Sequence, residues 1–371
     1  MKILICGGHL TPALAFIKGL PNDSQIIYVG RQHALENDAA LSLEYQIISN
    51  EKDIKFINFQ TGRLNRNFTK QTFISIFKTI RSFKQANEIL KTERPDVVVG
   101  FGSYVSLPLG IMAYFRKIPL IIHEQTFRTG LTNKILAKFA SLIAVSWKQS
   151  LQYFPKNKTV LTGNPALEEF FTKNNSQVKI KSKKNKLLII GGSQGSHFIN
   201  NLVMQTIAIL AKNYEIYHQT GDSQEFLDFS KLANIKKALP EKIAKNYNIV
   251  KFIDPKEIKN TFADADLVIS RAGVNTVSML MIMEKPALLI PLPVNKSDQS
   301  FNAEFFRKSG LGETLSQNQL NPETFLNTIN DMILNLNKFK IKIDKEILKI
   351  HKNSIENLIK LIYEKYQKNS N

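Results

Sequence analysis

Short apolar runs alternate with longer amphipathic stretches along most of this chain. Near-continuous apolar runs rich in Val, Ile and Leu are typical of strands that are buried on both faces of a parallel sheet. The stretches between them have the spacing of helices, so the pattern predicts an α/β protein. Strands are predicted at Lys2–Ile5, Gln25–Val29, Val97–Val99, Pro119–Ile122, Leu142–Val145, Thr159–Leu161, Leu187–Ile190, Ile216–Gln219, Ile249–Phe252, Leu267–Ile269 and Ala287–Ile290.

The eleven predicted strands fall into two sets, which indicates two Rossmann-like, doubly wound domains. Gly163-Asn164-Pro165 ends the first set, and a stretch rich in Lys and Asn precedes the second. Such composition is typical of a linker. We therefore expect one domain at 1–163, a linker at 164–186, a second domain at 187–338 and a helical tail at 339–371. The tail is amphipathic and should pack on the body through Ile347, Leu348, Leu358, Leu361 and Ile362.

The composition narrows the class of protein but not its activity. The chain has 371 residues, of which 43% are hydrophobic, and one cysteine, Cys6, which fits a reducing compartment. No run approaches the ~20 apolar residues of a spanning helix, and the N-terminus does not resemble a signal peptide. These features predict a cytoplasmic location. The formal charge of +19 reflects either a general bias towards Lys or attraction to nucleic acid or to an anionic membrane face.

Each predicted domain opens with a strand, a glycine turn and a helix. The turns are Gly7-Gly8-His9 and Gly191-Gly192-Ser193-Gln194-Gly195-Ser196. Glycine allows close approach of a bound group, and a helix N-terminus favours phosphate, although a tight structural turn would have the same sequence. Neither turn matches the dinucleotide fingerprint or a Walker loop, so neither a nicotinamide cofactor nor an NTP is favoured.

The segment from Asp266 to Ala303 is the most informative part of the chain. It predicts a strand, the turn Ser270-Arg271-Ala272-Gly273, a helix, a second strand and a polar loop with Asp298 and Gln299. Ligands bind at the carboxyl ends of strands in open α/β sheets, so the segment predicts a site for a ligand with phosphate groups. Arg271 would contact phosphate or pair with a carboxylate. Thr276 would contact the ligand or bond to its own helix, and Gln299 would bind a sugar or cap a helix.

Two residues of the first domain are candidates for acid–base chemistry. His9 lies in the first turn, where it would act as a general base or a ligand contact, or would simply cap its own turn. Glu124 follows the predicted strand Pro119–Ile122 within His123-Glu124-Gln125, and would either reach the ligand or bond to neighbouring loops.

Residues Gln60–Gln85 interleave basic side chains with Leu, Ile and Phe. This amphipathic pattern fits a helix on a membrane surface, and equally a surface helix whose apolar face joins the core. No nucleic-acid-binding motif is present, so we expect no nucleic-acid partner.

In order along the chain, these motifs resemble those of the MurG family. The segments that carry the resemblance are Gly7–Ala15, Gly100–Pro108, His123–Asn133, Thr162–Pro165, Gly191–Ser196, Phe252–Asp254, Ser270–Ser278 and Asp298–Ala303. The resemblance implies the GT-B fold and an inverting transfer of N-acetylglucosamine. The implied donor is UDP-N-acetylglucosamine, and the acceptor is the 4-hydroxyl of a lipid-diphosphate-linked muramoyl-pentapeptide. It also implies a role in peptidoglycan synthesis at the inner face of the membrane.

The resemblance also assigns roles to individual residues. The second domain would hold the donor, with Ser193 at the diphosphate, Ile253 at the uracil, the helix that begins near Val274 at the phosphates, and Gln299 at the sugar. His9 is the first candidate for the general base and Glu124 the second, and no metal or other cofactor is implied. The remaining implied contacts to substrate are Gly7, Gly8, Thr126, Gln194, Gly195, Arg271, Gly273, Asn275, Thr276 and Asp298.

The chain departs from the family pattern at several positions. Leu167 stands where a phosphate-binding arginine is usual, Met279 where a ribose-binding glutamate is usual, and Thr126 where an asparagine is usual. These departures leave two alternatives open beside the leading one. One is a GT-B enzyme with another donor or glycolipid acceptor, and the other is a non-catalytic protein that binds nucleotide sugars.

Overall fold

The computed structural model describes residues 1–33, 41–60, 70–171, 184–192, 195–293, 298–340 and 344–370, with the backbone alone at 70–79 and 368–370. The chain divides into two compact units. The N-terminal unit contains Met1–Glu169 together with Lys345–Asn371, and the C-terminal unit contains Phe170–Asp344. The separate linker at 164–186 stays a prediction, since much of it lies outside the described residues.

The strands of the two units are numbered in chain order. The N-terminal unit has β1 Lys2–Cys6, β2 Gln25–Gly30, β3 Ile54–Asn58, β4 Val97–Gly100, β5 Leu120–Glu124, β6 Leu142–Val145 and β7 Thr159–Leu161. The C-terminal unit has β8 Lys186–Ile190, β9 Glu215–Gln219, β10 Tyr247–Val250, β11 Leu267–Ser270, β12 Ala287–Leu289 and β13 Gly312–Thr314.

The helices follow the same numbering. They are α1 Leu10–Gly19, α2 Leu43–Ile48, α3 Lys70–Glu93, α4 Ser106–Phe115, α5 Leu131–Leu136, α6 His197–Asn213, α7 Asp228–Ala238, α8 Glu241–Ala244, α9 Ile258–Asp264, α10 Val274–Ile282, α11 Gln299–Lys308, α12 Pro322–Leu334, α13 Lys345–Lys352 and α14 Ser354–Ser370. Within the described ranges, no helix combines the length and the apolarity needed to cross a membrane.

Each unit is built on one parallel sheet. The strand order is β3-β2-β1-β4-β5-β6-β7 in the N-terminal unit and β10-β9-β8-β11-β12-β13 in the C-terminal unit. In both sheets the order reverses direction beside the first strand, between β1 and β4 and between β8 and β11. This is the doubly wound order, and ligands bind at the carboxyl ends of the strands beside such a switch point. The predicted fold class of two Rossmann-like domains is confirmed.

Both faces of the first sheet are covered by helices. Alternate residues of β1 point to opposite faces, so Leu4 and Cys6 belong to one apolar core while Ile3 and Ile5 belong to another. The second core includes Leu358 and Ile362 of α14, two of the residues from which the amphipathic tail is predicted. The C-terminal segment of the chain thus forms part of the N-terminal unit.

Candidate active site

The turns after β1 and β4 pack closely at the switch point of the first sheet. Gly7 has a φ of +131°, and a Cβ at this position would lie 2.7 Å from the carbonyl oxygen of Gly102. The Gly8 N–H donates to Gly102 O at 3.4 Å, and the His9 N–H donates to Phe101 O at 3.3 Å. Only glycine fits the backbone conformation and the space at position 7, so the turn is fixed against its neighbour.

His9 precedes the first residue of α1 at this edge of the sheet. Its ring lies against the backbone of the next turn, because a Cβ at Gly102 would be 2.9 Å from His9 Nδ1. His9 Nδ1 is buried and has no hydrogen-bond partner among the described residues. Burial lowers the pKa of His9, and the charge of Glu124 opposes this shift. His9 is therefore neutral near pH 7, with a nitrogen that is not committed to another protein group.

Glu124 ends β5 and is only 1% exposed. Its Oε1 accepts hydrogen bonds from the Thr126 N–H at 3.0 Å and the Thr126 hydroxyl at 2.6 Å. Its Oε2 accepts from the Gly130 N–H and from Asn133 Nδ2, each at 3.0 Å. The carboxylate thus holds the loop between β5 and α5 in place and acts on His9 through its charge.

His123 is fully buried beside Glu124, and its Nε2 lies 3.1 Å from Gly163 O and 3.3 Å from Ser146 Oγ. Burial lowers the pKa of His123 to about 4, so its Nε2–H donates to the Gly163 carbonyl at neutral pH. We assign this histidine to the scaffold of the edge.

The turn after β8 opens the C-terminal unit. Gly195 has a φ of +79°, and a Cβ there would lie 1.9 Å from Thr220 O. The Ser196 hydroxyl accepts a hydrogen bond from the Ile199 N–H at the start of α6. The sequence predicts Ser193 and Gln194 as donor contacts, and both lie outside the described residues. The described part of the turn is packed tightly onto the end of β9.

The turn after β11 lies next to it, because β8 and β11 are neighbours in the sheet. Gly273 precedes α10 and offers it no side-chain cap, and a Cβ on Gly273 would meet no atom within 4 Å. Asn275 and Thr276 follow in the first turn of α10, where Asn275 is exposed and Thr276 is partly buried. The N-terminus of α10 is therefore open, and its partial positive charge can act on an anion.

Arg271 lies in the same turn. Its Nη1 donates to Ile290 O at 3.1 Å and to Pro291 O at 3.3 Å, and the guanidinium lies 5.8 Å from the ring centre of Phe198. Burial lowers the pKa of Arg271 to about 10, so the side chain stays charged at neutral pH. Among the described residues it forms no ion pair with a carboxylate. The predicted pairing of Arg271 with a carboxylate is thus not observed there.

The other predicted donor contacts lie on neighbouring loops. Ile253 is 7% exposed, and its N–H faces Gln219 Oε1 at 3.4 Å. Asp298 is exposed and precedes α11, whereas Gln299 Oε1 accepts a hydrogen bond from the Leu292 N–H at 3.1 Å. Gln299 therefore bonds to the chain itself.

Leu167 and Met279 occupy the positions at which the family pattern has an arginine and a glutamate. Leu167 is 3% exposed and Met279 is partly buried on α10. Neither provides a charge. Arg271 is a described cation at the edge of the C-terminal sheet.

Two residues of these edges are not among those predicted from the sequence. Asn133 donates to Glu124 from α5, and Gln219 ends β9, between the ends of β8 and β10. The position of Gln219 at the carboxyl end of a predicted strand is a signal that identifies it, whereas Asn133 is recognisable only once the loop is folded.

Comparison with known proteins covers nearly the whole chain. Residues 6–145 match the glycosyltransferase family 28 N-terminal domain, and residues 186–360 match its C-terminal domain. A UDP-N-acetylglucosamine--N-acetylmuramyl-(pentapeptide) pyrophosphoryl-undecaprenol N-acetylglucosamine transferase of Clostridium tetani is 32% identical, with 98% of each chain covered. The protein of the same name from Clostridium novyi is 35% identical, with 99% of each chain covered.

Solved structures agree in fold. The crystal structure of Acinetobacter baumannii MurG has a TM-score of 0.69 at 23% identity and covers 98% of this chain and 99% of its own. A UDP-GlcNAc 2-epimerase from Neisseria meningitidis has a TM-score of 0.64 at 12% identity, with 98% of this chain and all of its own covered. With full-length relatives above 30% identity and both family 28 domains in place, the chain belongs to the MurG family of glycosyltransferases.

Proposed function

We propose that the protein transfers N-acetylglucosamine from UDP-N-acetylglucosamine to the muramoyl sugar of a lipid-diphosphate-linked pentapeptide, which forms the lipid-linked disaccharide of peptidoglycan synthesis. The names of the full-length relatives state the donor and the acceptor. The observation in the structure that carries the proposal is His9, a half-buried neutral histidine at a sheet switch point, whose buried Nδ1 has no hydrogen-bond partner among the described residues.

The reaction requires a base and a stabilised leaving group. The 4-hydroxyl oxygen of the acceptor sugar attacks the anomeric carbon, and its proton passes to His9. The bond between the anomeric carbon and the phosphate oxygen breaks, its electron pair leaves with UDP, and the configuration inverts. Glu124 stabilises the imidazolium that forms, while its own oxygens stay bonded to Thr126, Gly130 and Asn133.

The edge of the C-terminal sheet would bind the donor. The open N-terminus of α10 and the charged Arg271 favour the diphosphate, and both gain importance as negative charge develops on the leaving group. Ile253 would meet the uracil, and Asp298 and Gln299 the sugar. Ser193 and Gln194 are further proposed contacts in the glycine turn.

A transfer assay tests this proposal. The protein is incubated with labelled UDP-N-acetylglucosamine and the lipid-linked muramoyl-pentapeptide, and product is separated by chromatography. We expect label in the lipid fraction. Transfer from another sugar nucleotide only would favour a different GT-B enzyme, and donor binding without any transfer would favour the non-catalytic alternative.

We further propose that the N-terminal unit docks on the anionic inner face of the membrane through a basic apolar surface. We define this surface as Ile80, Tyr114, Phe115, Lys117 and Lys138. Ile80 is 62% exposed, Tyr114 52% and Phe115 67%, and Lys117 and Lys138 are also exposed. Large exposed apolar groups among lysines are typical of a surface that binds anionic lipid.

Two contacts show that the segments that carry these residues lie close together. The Arg116 Nε donates to Asn87 Oδ1 at 2.7 Å, which ties the end of α4 to α3 two helical turns beyond Ile80. The Tyr114 ring lies 5.4 Å from that of Phe139, which places Lys138 nearby. The predicted amphipathic segment Gln60–Gln85 contributes Ile80, and its residues 61–79 have no described side chains.

Vesicle sedimentation tests the docking surface. We expect Phe115→Ser to weaken binding to phosphatidylglycerol vesicles by about tenfold, because a large apolar side chain no longer enters the lipid. Leu334→Ser is the matched control, since Leu334 is 81% exposed on the C-terminal unit. Binding should also weaken at high salt. Equal binding to phosphatidylcholine vesicles would contradict the anionic part of this proposal.

A further inference from the structure

Gln219 lies between the two turns of the C-terminal unit to which the proposed function assigns the diphosphate and the uracil. It is the last residue of β9, and its neighbours in the sheet register are Ile190 of β8 and Val250 of β10. Gly192 follows Ile190 by two residues, and Ile253 follows Val250 by three. The side chain of Gln219 is therefore placed where it can reach both turns.

Both ends of the Gln219 amide are in contact with these turns. Its Nε2 donates to Gly192 O at 2.9 Å, and its Oε1 accepts from the Ile253 N–H at 3.4 Å. The first bond has ordinary length, whereas the second is long and correspondingly weak. A carbonyl oxygen of uracil at an ordinary hydrogen-bond distance can take over the Ile253 N–H at small cost.

The turn at Gly192 depends on backbone hydrogen bonds for its shape. Gly192 has a φ of +86°, and no atom of the described residues compared lies within 4 Å of the place where its Cβ would stand. Its carbonyl oxygen accepts from the Gly195 N–H at 3.1 Å, which closes the turn, and from Gln219, which ties the turn to the end of β9. The amide of Gln219 thus sets the orientation of the Gly192 carbonyl relative to the sheet.

We propose that Gln219 is a positioning residue that couples recognition of the nucleobase to the geometry of the diphosphate turn. This inference rests on the proposed function, because it needs a uridine diphosphate donor. When the base takes the Ile253 N–H, the amide stays anchored to Gly192 and keeps the turn aligned for the phosphates of the same nucleotide. The protein then binds the whole nucleotide with a higher affinity than the separate contacts to its base and its diphosphate would give.

The variant Gln219→Met tests this coupling, because it keeps the length of the side chain and removes both polar atoms without adding charge. The matched control is Gln224→Met, since Gln224 is exposed in the loop after β9 and its Nε2 donates to Asp222. Calorimetry measures the dissociation constants of uridine and of UDP for both variants and for the unchanged protein.

We expect Gln219→Met to weaken UDP binding by about tenfold and uridine binding by less than about threefold, since one partly buried hydrogen bond is lost at the turn. The ratio of the dissociation constant of uridine to that of UDP should therefore fall. KM for the donor should rise by about tenfold, with kcat nearly unchanged. A purely structural role would weaken uridine and UDP alike and leave the ratio unchanged.

Two outcomes would overturn the inference, and they are distinguishable from failure of the proposed function. If the unchanged protein binds UDP and Gln219→Met binds it equally well, Gln219 does not position the turn. If both ligands weaken in proportion, the residue only supports the fold. Absence of UDP binding by the unchanged protein would instead overturn the proposed function itself.

Discussion

The edges of the two sheets differ in how their polar atoms are used. In the N-terminal unit the Glu124 carboxylate accepts four hydrogen bonds, and His9 Nδ1 is left without a partner. In the C-terminal unit α10 begins without a side-chain cap, and Arg271 Nη1 donates to the carbonyl oxygens of Ile290 and Pro291. The first edge holds a candidate base whose Nδ1 has no partner in the described part of the chain, and the second offers several groups that favour an anion.

This difference suggests that the two units have different functions, one in proton transfer and the other in binding an anion. A proton acceptor works best when its position and pKa are held by bonded neighbours. An anion site works best when donors and positive charge remain available to the ligand. Substitutions in the first edge should therefore change kcat, and those in the second should change donor affinity.

Substitution of His9 should have the largest effect. His9→Ala removes the proposed base, and we expect kcat to fall by ~100-fold or more. UDP affinity, measured by calorimetry, should stay near that of the unchanged protein. The exposed His33, to which no catalytic role is assigned, provides a control in His33→Ala. Turnover close to normal in His9→Ala would eliminate the role of His9 as base.

Substitution of Arg271 should act on the other edge. Arg271→Met keeps much of the aliphatic stem but removes the charge, and we expect donor affinity to fall by about tenfold. Arg271→Lys should restore part of that loss, because the charge remains without the planar fork. The control is Arg307→Met, whose arginine is exposed and pairs with Glu304. A fall in kcat with unchanged donor affinity would contradict the assignment of donor binding to the edge that contains Arg271.

Substitution of Glu124 should have a smaller effect that depends on pH. The charge of Glu124 raises the pKa of His9 against the effect of burial. In Glu124→Gln that charge is absent, so the pKa of His9 falls further and the acid limb of the kcat/KM profile moves to lower pH.

The control for this substitution is Glu93→Gln. Glu93 is also buried but pairs with Lys2 and Lys55, so its loss should change stability without moving the acid limb. An acid limb at the same pH in Glu124→Gln would show that Glu124 does not act on the base.

The sequence predicts the interior of both sheets better than their borders. All eleven predicted strands are present, and the two strands that were missed, β3 and β13, are edge strands. The prediction for β10, at the other edge of the second sheet, lies two residues too far along the chain, and Phe252 proves 55% exposed. Edge strands have one neighbour and one less protected side, so polar residues interrupt the apolar pattern that identifies a strand.

The candidate site is predictable in location but not in the state of its groups. The rule that ligands bind at carboxyl ends of strands places His9, Glu124 and Arg271 correctly at these edges. This rule cannot show that both carboxylate oxygens of Glu124 already accept hydrogen bonds, because Gly130 and Asn133 approach Glu124 only when the loop folds. The same rule places Gln219 at a sheet edge. Its proposed role follows only from its hydrogen bonds to Gly192 and Ile253.

The smallest expected effect concerns stability in mild acid. Burial lowers the pKa of His123 to about 4 and that of His351 to about 3 in the N-terminal unit, and that of His218 to about 3 in the C-terminal unit. Each folded value lies below the unfolded value of about 6.5, so the unfolded chain takes up protons first as pH falls. The stabilisation is complete above about pH 6.5 and declines towards pH 4.

The chain's single tryptophan allows this decline to be measured in the N-terminal unit. Trp147 packs against His351, with ring centres 4.3 Å apart, so its fluorescence reports unfolding there. Each buried histidine contributes a slope of about 1.4 kcal/mol per pH unit to the unfolding free energy. His351→Gln keeps an acceptor for the Asn164 N–H, which now donates to His351 Nδ1, and should lower the slope between pH 6.5 and 5 by one such contribution. His33→Gln should leave it unchanged, and an equal slope in both variants would mean that His351 takes up its proton at the same pH in the folded and the unfolded protein.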